Sequence, residues 1–429
     1  MLGSNPLTAN PQLIGVMSLS GATPTLIMIP ERWRQADINI KTFSTRREMQ
    51  TLNQSFRARF ALRQRKPRQS AGLKQLLGLL AASLLLSGIT LAGTEAGAID
   101  EHSTGGKSAP HNGAIEVKRV EFPVILSDNQ VYTMVGYLYV KGGMAQEDCK
   151  KKRDIVQVLL HGGTYNHKYW DAGTINGVDY SYARFMAEQC YSVLALDRLG
   201  AGESSKPDGD FLDKDENAAS IAQVLISLRA NHNPAGKKFK QIALVGHSLG
   251  TFSSIYTLGT YGPLADALVA TGWVTAPGVV PIDPAFFQAL LANPYIVLPS
   301  DARSALFYYP PSADPDVIAY DNASLADAFT RGFLLNTIEV LQARAQGDVA
   351  AIKTLTRIDQ VTTPVFIQLG DFDILAPASS AGSEAAFYTG ASSVTVNTLT
   401  DMGHDYNLHF NHLAGWQAIA NWIASTLGD

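Results

Sequence analysis

Short, near-continuous apolar runs constrain the fold of this 429-residue chain more than any other feature of its sequence. Such runs are typical of strands buried on both faces of a parallel sheet, because alternation is expected only where one face meets water. They recur from the middle of the chain onward, at residues 155–160, 191–196, 242–245, 268–274 and 365–369, and a further strand is predicted at 394–399.

Helical spacing appears between these runs. Ile221, Val224, Leu225 and Leu228 follow the i, i+3, i+4, i+7 pattern, and residues 416–427 repeat it near the end of the chain. Two earlier β-type segments, residues 120–126 and 132–140, are separated by a Ser-Asp-Asn-Gln turn and predict a hairpin-like start. Strands that alternate with helices predict an α/β fold with a mostly parallel sheet.

Charge is divided unevenly along the chain. Residues 1–98 carry 12 Lys/Arg and 4 Asp/Glu, whereas residues 99–429 carry 22 and 34. The acidic part should repel polyphosphates, so no nucleic-acid partner is predicted. Apolar residues make up 46% and charged residues 17%, which excludes disorder throughout. Two cysteines without metal-ligand spacing predict no metal site.

The first 98 residues are predicted to be a leader with an export signal. A basic segment, residues 57–74, precedes an apolar segment, residues 75–94, and small residues follow at 96–98. This layout is typical of a cleaved signal peptide, with export to the periplasm or the extracellular space. A membrane anchor through residues 75–94 remains the alternative, and the start, Met1 or Met49, stays open. If the signal is cleaved, no stable membrane insertion is expected.

The remaining chain is predicted to contain a linker (99–116), a core in two parts (117–277 and 363–429) and an insertion between them (278–362). This insertion is too long for an ordinary connection and is rich in aromatic residues and proline. A small helical cap over a pocket is therefore predicted. Most of its aromatic residues are expected to pack the cap against the core, with two or three in contact with a ligand.

Gly246-His247-Ser248-Leu249-Gly250 matches the G-x-S-x-G pattern of a nucleophile elbow. A predicted strand precedes it and a predicted helix follows at 249–258, which is the strand-turn-helix context that the pattern requires. In so sharp a turn Ser248 should be strained, and side chains at positions 246 and 250 would clash.

A serine hydroxyl needs a nearby base, and that base needs an orienting acid. Gly370-Asp371-Phe372-Asp373 follows the strand at 365–369, and Met402-Gly403-His404 follows the strand at 394–399. The carboxyl ends of strands in α/β sheets are where sites assemble. The sequence therefore predicts that these segments meet Ser248.

With these motifs, residues 117–429 resemble the α/β-hydrolase superfamily. His161-Gly162-Gly163 is similar to the oxyanion-loop motif of that family, and Asp197–Ser204 is similar to its D-x-x-G-x-G-x-S segment. The resemblance implies a mostly parallel eight-stranded sheet with flanking helices and an inserted helical cap. It also implies roles for individual residues: Ser248 as nucleophile, His404 as general base and acid, Asp373 as orienting acid, and the N–H groups of Gly163 and Leu249 as oxyanion donors.

Several assignments have alternatives. Asp371 competes with Asp373 as the acid, and His409 and His412 compete with His404 as the base. His161, His247, Asp197 and Arg198 are predicted to be structural. Five residues are predicted to contact the substrate: Tyr165, Trp170, Phe286, Phe307 and Tyr308. The alternative for Tyr165 and Trp170 is that they only shape the loop that carries Gly163.

A disulfide between Cys149 and Cys190 is a further hypothesis. Both residues precede strands that are expected to be neighbours, and the export signal implies an oxidising compartment. Two free thiols are the alternative.

The predicted activity is hydrolysis of carboxylic esters, with an apolar or aromatic small-molecule ester as substrate and no cofactor. Haloalkane dehalogenases and epoxide hydrolases of this superfamily use aspartate at the elbow, so Ser248 disfavours both. The alternatives are a carbon-carbon bond hydrolase, a lactonase, an acyltransferase or a non-catalytic ligand-binding protein on the same scaffold.

Overall fold

The computed structural model describes residues 114–142, 149 and 152–428. The predicted leader at 1–98, with its apolar segment and cleavage site, lies outside these residues, as does most of the predicted linker. No helix within the described ranges is both long enough and apolar enough to cross a membrane.

Eight strands form one mixed sheet, in the order β1 (Ile115–Ile125), β2 (Val131–Lys141), β6 (Ser192–Leu196), β3 (Ile155–Leu160), β7 (Gln241–His247), β8 (Ala267–Thr271), β11 (Val365–Gly370) and β12 (Val394–Leu399). The β1–β2 and β2–β6 pairs are antiparallel and every other pair is parallel. This confirms the predicted α/β fold with a mostly parallel eight-stranded sheet.

The central strands are buried along nearly their whole length, as their near-continuous apolar runs predict. All six residues of β3 and all six of β11 are buried. Two strand bounds differ from the prediction. β1 begins at Ile115, inside the predicted linker, and β8 ends at Thr271 rather than near residue 274, because Gly272 adopts a left-handed φ of 62°.

Helices flank this sheet. The helix that follows β7 packs against β7 and β8, and the C-terminal helix packs against β8, β11 and β12. The helices outside the β8–β11 connection are α1 (Tyr182–Glu188), α2 (Lys214–Leu228), α3 (Leu249–Tyr261), α9 (Ala381–Ala385) and α10 (His412–Leu427).

The connection between β8 and β11 contains five α-helices and a two-stranded antiparallel sheet, where the sequence predicts a helical cap. This small sheet pairs β9 (Tyr295–Ile296) with β10 (Phe329–Thr330). The helices are α4 (Pro284–Leu290), α5 (Ser300–Phe307), α6 (Pro315–Tyr320), α7 (Arg331–Gln346) and α8 (Val349–Thr356). A short hairpin, β4 (Thr174–Ile175) with β5 (Val178–Asp179), follows the loop after β3.

Cys149 and Cys190 are joined in a disulfide, with their Cα atoms 5.1 Å apart. This bond connects the segment before β3 to the segment before β6, which are adjacent parallel strands. The arrangement agrees with the hypothesis of a bridge rather than of two free thiols.

Candidate active site

Ser248 stands in the sharp turn between β7 and α3. Its φ of 53° and ψ of −122° are strained for a residue with a side chain. Its N–H donates to the carbonyl of Thr271, at 2.9 Å, which ties the turn to the end of β8. Although Ser248 precedes a helix, its hydroxyl makes no capping hydrogen bond. The residue is partly exposed between buried neighbours, so the hydroxyl is accessible.

The two glycines of the elbow leave room for this turn. A Cβ on Gly250 would lie 2.1 Å from the carbonyl oxygen of Leu160 in β3. A Cβ on Gly246 would lie 2.6 Å from the backbone N of Thr251 in α3. The strand on one side and the helix on the other therefore exclude any side chain at these positions.

His404 and Asp373 form a buried pair, with Nδ1 of His404 2.9 Å from Oδ2 of Asp373. The Nε2 atom of His404 has no hydrogen-bond partner within the described part of the chain. The imidazole centre lies 4.9 Å from that of His247, the residue before Ser248. The structure thus brings the ring of His404 to the elbow with one nitrogen free.

The pKa shifts of Asp373 and His404 are those of an ionised acid beside a more basic imidazole. Burial would raise the pKa of Asp373, but His404 and several hydrogen bonds hold it below its ordinary value. Burial would lower the pKa of His404, but the carboxylate of Asp373 raises it above its ordinary value. Asp373 is therefore ionised at neutral pH and can orient the imidazole.

The competing residues have other contacts. Asp371 is exposed, and its Oδ1 accepts from the N–H of Met402 at 3.1 Å. Nε2 of His409 accepts from the N–H groups of Tyr309 and Gly403. Both ring nitrogens of His412 face backbone carbonyls. Of the predicted acids and bases, only Asp373 and His404 pair with each other within the described residues.

The two residues that are predicted to supply the oxyanion donors, Gly163 and Leu249, are neighbours in the structure. A Cβ on Gly163 would lie 2.8 Å from Cδ1 of Leu249, and a Cβ on Gly162 would lie 3.2 Å from Cβ of Ser248. Leu249 is the first residue of α3, and N–H groups of a first helical turn have no acceptor within the helix. The N–H of Gly163 donates to no atom of the described residues.

Of the five predicted substrate-contacting residues, Tyr165 and Phe307 are neighbours, with their ring centres 5.9 Å apart. The ring of Phe307 lies 5.5 Å from that of His404. Tyr165 is buried, and its hydroxyl contacts the carboxylates of Asp321 and Asp405. The other three contact side chains other than Ser248, Asp373 and His404: Trp170 packs on Tyr169 and Tyr182, Tyr308 stacks on His409, and Phe286 contacts Phe287.

Two contacts at this site were not predicted from the sequence. The hydroxyl of Tyr406 donates to Oδ2 of Asp373 at 2.8 Å. Phe329, in β10, lies beside the oxyanion loop, 3.9 Å from the position of a Cβ on Gly163. No local pattern distinguishes Tyr406, although its position two residues after His404 is a weak signal. Within the described ranges, no cluster of three or more His, Cys, Asp or Glu side chains could hold a metal ion.

Comparisons with known proteins agree with this architecture. The model of the alpha/beta hydrolase family matches residues 157–417, which is more than half of the chain. No curated protein sequence matches the chain.

Among solved structures, a monoacylglycerol lipase from Paleococcus ferrophilus is 18% identical, with a TM-score of 0.48, and the match covers 72% of this chain and 99% of that one. A thermophilic esterase from Thermogutta terrifontis is 16% identical, with a TM-score of 0.46, over 72% of this chain and 99% of that one. A hydrolase from Pseudomonas aeruginosa is 18% identical, with a TM-score of 0.48, and the match covers 72% of this chain and 98% of that one. By the extent of the family match, this chain belongs to the alpha/beta hydrolase family.

Proposed function

We propose that the protein is a serine hydrolase that cleaves carboxylic esters through an acyl-enzyme intermediate. One observation carries the proposal: His404, paired with Asp373, leaves its Nε2 atom unpartnered next to the strained turn that presents Ser248. A nucleophile beside a base, with the base oriented by an acid, is the arrangement that nucleophilic acyl transfer requires.

The reaction begins when Oγ of Ser248 attacks the ester carbonyl carbon and its proton passes to Nε2 of His404. The electron pair of the carbonyl bond moves to the oxygen, which the N–H groups of Gly163 and Leu249 stabilise. The intermediate then expels the alcohol, which takes the proton from His404. Water attacks the acyl-enzyme with His404 again as base, which releases the acid and restores Ser248.

The substrate is proposed to be a small ester with an apolar or aromatic group. Phe307 lies beside His404, and Phe329 lies beside Gly163, so apolar surface borders the reacting centre on two sides. Ester hydrolysis by these residues needs no cofactor, because the base and the oxyanion donors supply the activation.

Export is proposed on two grounds. The basic and apolar segments at 57–74 and 75–94 form a signal-like layout in the sequence. The disulfide between Cys149 and Cys190 is of a kind that persists in oxidising compartments and is rare in the cytosol of mesophiles.

The test uses p-nitrophenyl esters of graded acyl length with the full chain and with Ser248→Ala. Turnover in the wild type and its loss in Ser248→Ala, by roughly a thousandfold or more, is the expected result. Ser383→Ala, at an exposed serine, is the matched control and should retain full turnover. Undiminished turnover in Ser248→Ala would contradict the acyl-enzyme mechanism. Labelling of Ser248 by a fluorophosphonate without ester hydrolysis would favour a transferase or a carbon-carbon bond hydrolase.

A further inference from the structure

Arg198 is a buried guanidinium that forms no ion pair within the described residues. Its side chain contacts two groups by hydrogen bonds: Nη1 donates to Oγ of Ser253 at 3.2 Å, and Nη2 donates to the carbonyl of Gly162 at 3.1 Å. The guanidinium also lies 5.3 Å from the ring centre of Phe333. Burial lowers the pKa of Arg198 to about 10, which still leaves it charged at neutral pH.

The neighbouring carboxylate does not neutralise this charge by contact. Asp197 accepts from the backbone and ring of His167 through Oδ1 and from the N–H of Glu203 through Oδ2. Removing a charge from water costs several kcal/mol in proteins unless a partner compensates it. The fold therefore keeps an uncompensated positive charge at this position, although the sequence alone predicts a merely structural residue.

The carbonyl of Gly162 accepts a hydrogen bond from a second donor besides Arg198. The N–H of Arg198 donates to Nε2 of His161 at 3.1 Å, so the proton of this buried, neutral imidazole is on Nδ1. Nδ1 lies 2.8 Å from the same carbonyl of Gly162 and donates to it. Two donors, one of them cationic, thus hold a single peptide oxygen.

That oxygen belongs to the peptide whose N–H is the Gly163 oxyanion donor. A trans peptide is planar, with its C=O and N–H pointing in opposite directions, so fixing the carbonyl of Gly162 also fixes the direction of the Gly163 N–H. A charged donor on the carbonyl polarises the peptide and strengthens the hydrogen bond that its N–H can make.

The other arm of Arg198 is linked, through Ser253, to the helix that presents the second oxyanion donor. Oγ of Ser253 accepts from Arg198 and donates to the carbonyl of Leu249 at 2.9 Å. Arg198 therefore bridges the loop after β3 and the first turn of α3, the two segments that present Gly163 and Leu249.

From these contacts we infer that Arg198 is a positioning residue of the oxyanion site, and that its charge stabilises the negative oxygen formed during acyl transfer. The inference rests on the proposed function. When Ser248 adds to the ester carbonyl and the proton moves to His404, the carbonyl electron pair becomes a negative charge on oxygen. That charge is absent from the bound ester, so Arg198 acts on the transition state and lowers the barrier rather than tightening substrate binding.

The experiment compares wild type, Arg198→Met and Arg198→Lys in the full chain. Arg198→Met is expected to lower kcat for a p-nitrophenyl ester by roughly 100-fold, as loss of an oxyanion contact does, with little change in KM. Its affinity for phenylboronic acid, which forms an anionic tetrahedral adduct on the serine, should fall by a similar factor. Arg198→Lys, which keeps the charge, should recover part of both losses.

The matched control is Arg344→Met. Arg344 is also buried and also holds a backbone carbonyl, that of Ala276, through Nε at 2.9 Å. Its loss should lower the melting temperature but not the boronate affinity. Wild-type kcat and boronate affinity in folded Arg198→Met would overturn the inference, as would the absence of any recovery in folded Arg198→Lys. If the wild type itself neither hydrolyses esters nor binds the boronate, the proposed function fails instead, so the two failures are distinguishable.

Discussion

The hydroxyl of Tyr406 donates to Oδ2 of Asp373, the same carboxylate oxygen that faces Nδ1 of His404. The other oxygen of this carboxylate accepts from the N–H groups of Leu375 and Ala376, both at 2.9 Å. Four donors therefore surround a fully buried carboxylate, which explains how Asp373 stays ionised in spite of its burial.

Tyr406→Phe should lower kcat/KM by roughly tenfold, because one of the hydrogen bonds that fix Asp373 is lost. It should also lower the free energy of unfolding by about 1–3 kcal/mol, since the buried N–H of Gly370 loses its acceptor, the Tyr406 oxygen. Ester kinetics and urea unfolding check the two effects. Tyr256→Phe is the control, because its hydroxyl bonds to Asp215 outside the site, and it should keep the wild-type rate.

Asp373→Asn should lower kcat by roughly a thousandfold or more, because an amide cannot stabilise the imidazolium of His404. Asp373 raises the pKa of His404, so wild-type kcat/KM should increase with pH through a value above 6.5, and the residual activity of the variant should increase at lower pH. A pH–rate series measures both. Asp371→Asn is the matched control, and an equal loss there would reassign the orienting acid.

The fold could be predicted from the sequence where the local composition of a segment reflects its burial. Near-continuous apolar runs predict the central strands because β3 and β11 are buried on both faces. The end of β8 was misplaced because residues 272–274 are as apolar as the strand, and only the backbone of Gly272 shows the turn.

The residues of the site also divide into those that a local motif predicts and those that no local motif predicts. Ser248, Asp373 and His404 were predicted because each follows a strand within a recognisable motif. The contacts of Tyr406 and Arg198 were not, because they join segments 33 and 36 residues apart and depend on which side chains meet once the sheet has formed.

Two buried acids should make stability depend on pH. Burial raises the pKa of Glu384 from 4.5 to about 7, and burial together with Asp321 raises that of Asp405 from 3.8 to about 7. At pH values between the ordinary pKa of each acid and its raised pKa, the folded chain binds more protons than the unfolded chain. Each acid should therefore lower the free energy of unfolding by about 1 kcal/mol per pH unit as pH rises from 5 to 7.

Glu384→Gln and Asp405→Asn should each make the free energy of unfolding depend less on pH. The difference in melting temperature, variant minus wild type, should therefore be more positive at pH 8 than at pH 5. Thermal unfolding at both pH values measures this difference. Asp301→Asn, at an exposed carboxylate, is the control and should follow the wild type. Slopes unchanged in both variants would show that neither acid is protonated in the folded state.

Removal of the disulfide should destabilise the protein by about 3–4 kcal/mol, the loop-closure entropy of a 41-residue separation. The variant that tests this combines Cys149→Ser and Cys190→Ser, so that no odd thiol remains. Its melting temperature should match that of reduced wild type and should not respond to reductant. Thiol titration of the denatured, unreduced wild type should find no free thiol, and a value of two would exclude the bond.

Gly250→Ala should prevent the elbow from forming, because the added Cβ would lie 2.1 Å from the carbonyl oxygen of Leu160, within a rigid central strand. Such overlap requires α3 to move away from β3 and takes Leu249 and Ser248 with it. We therefore expect loss of fluorophosphonate labelling at Ser248 together with a lower melting temperature. Gly382→Ala, in α9, meets no atom within 4 Å, and it should keep full labelling and gain slightly in stability, because alanine favours a helix by about 0.5–1 kcal/mol over glycine. Normal labelling in Gly250→Ala would mean that the close approach of α3 to β3 is not needed to present the serine.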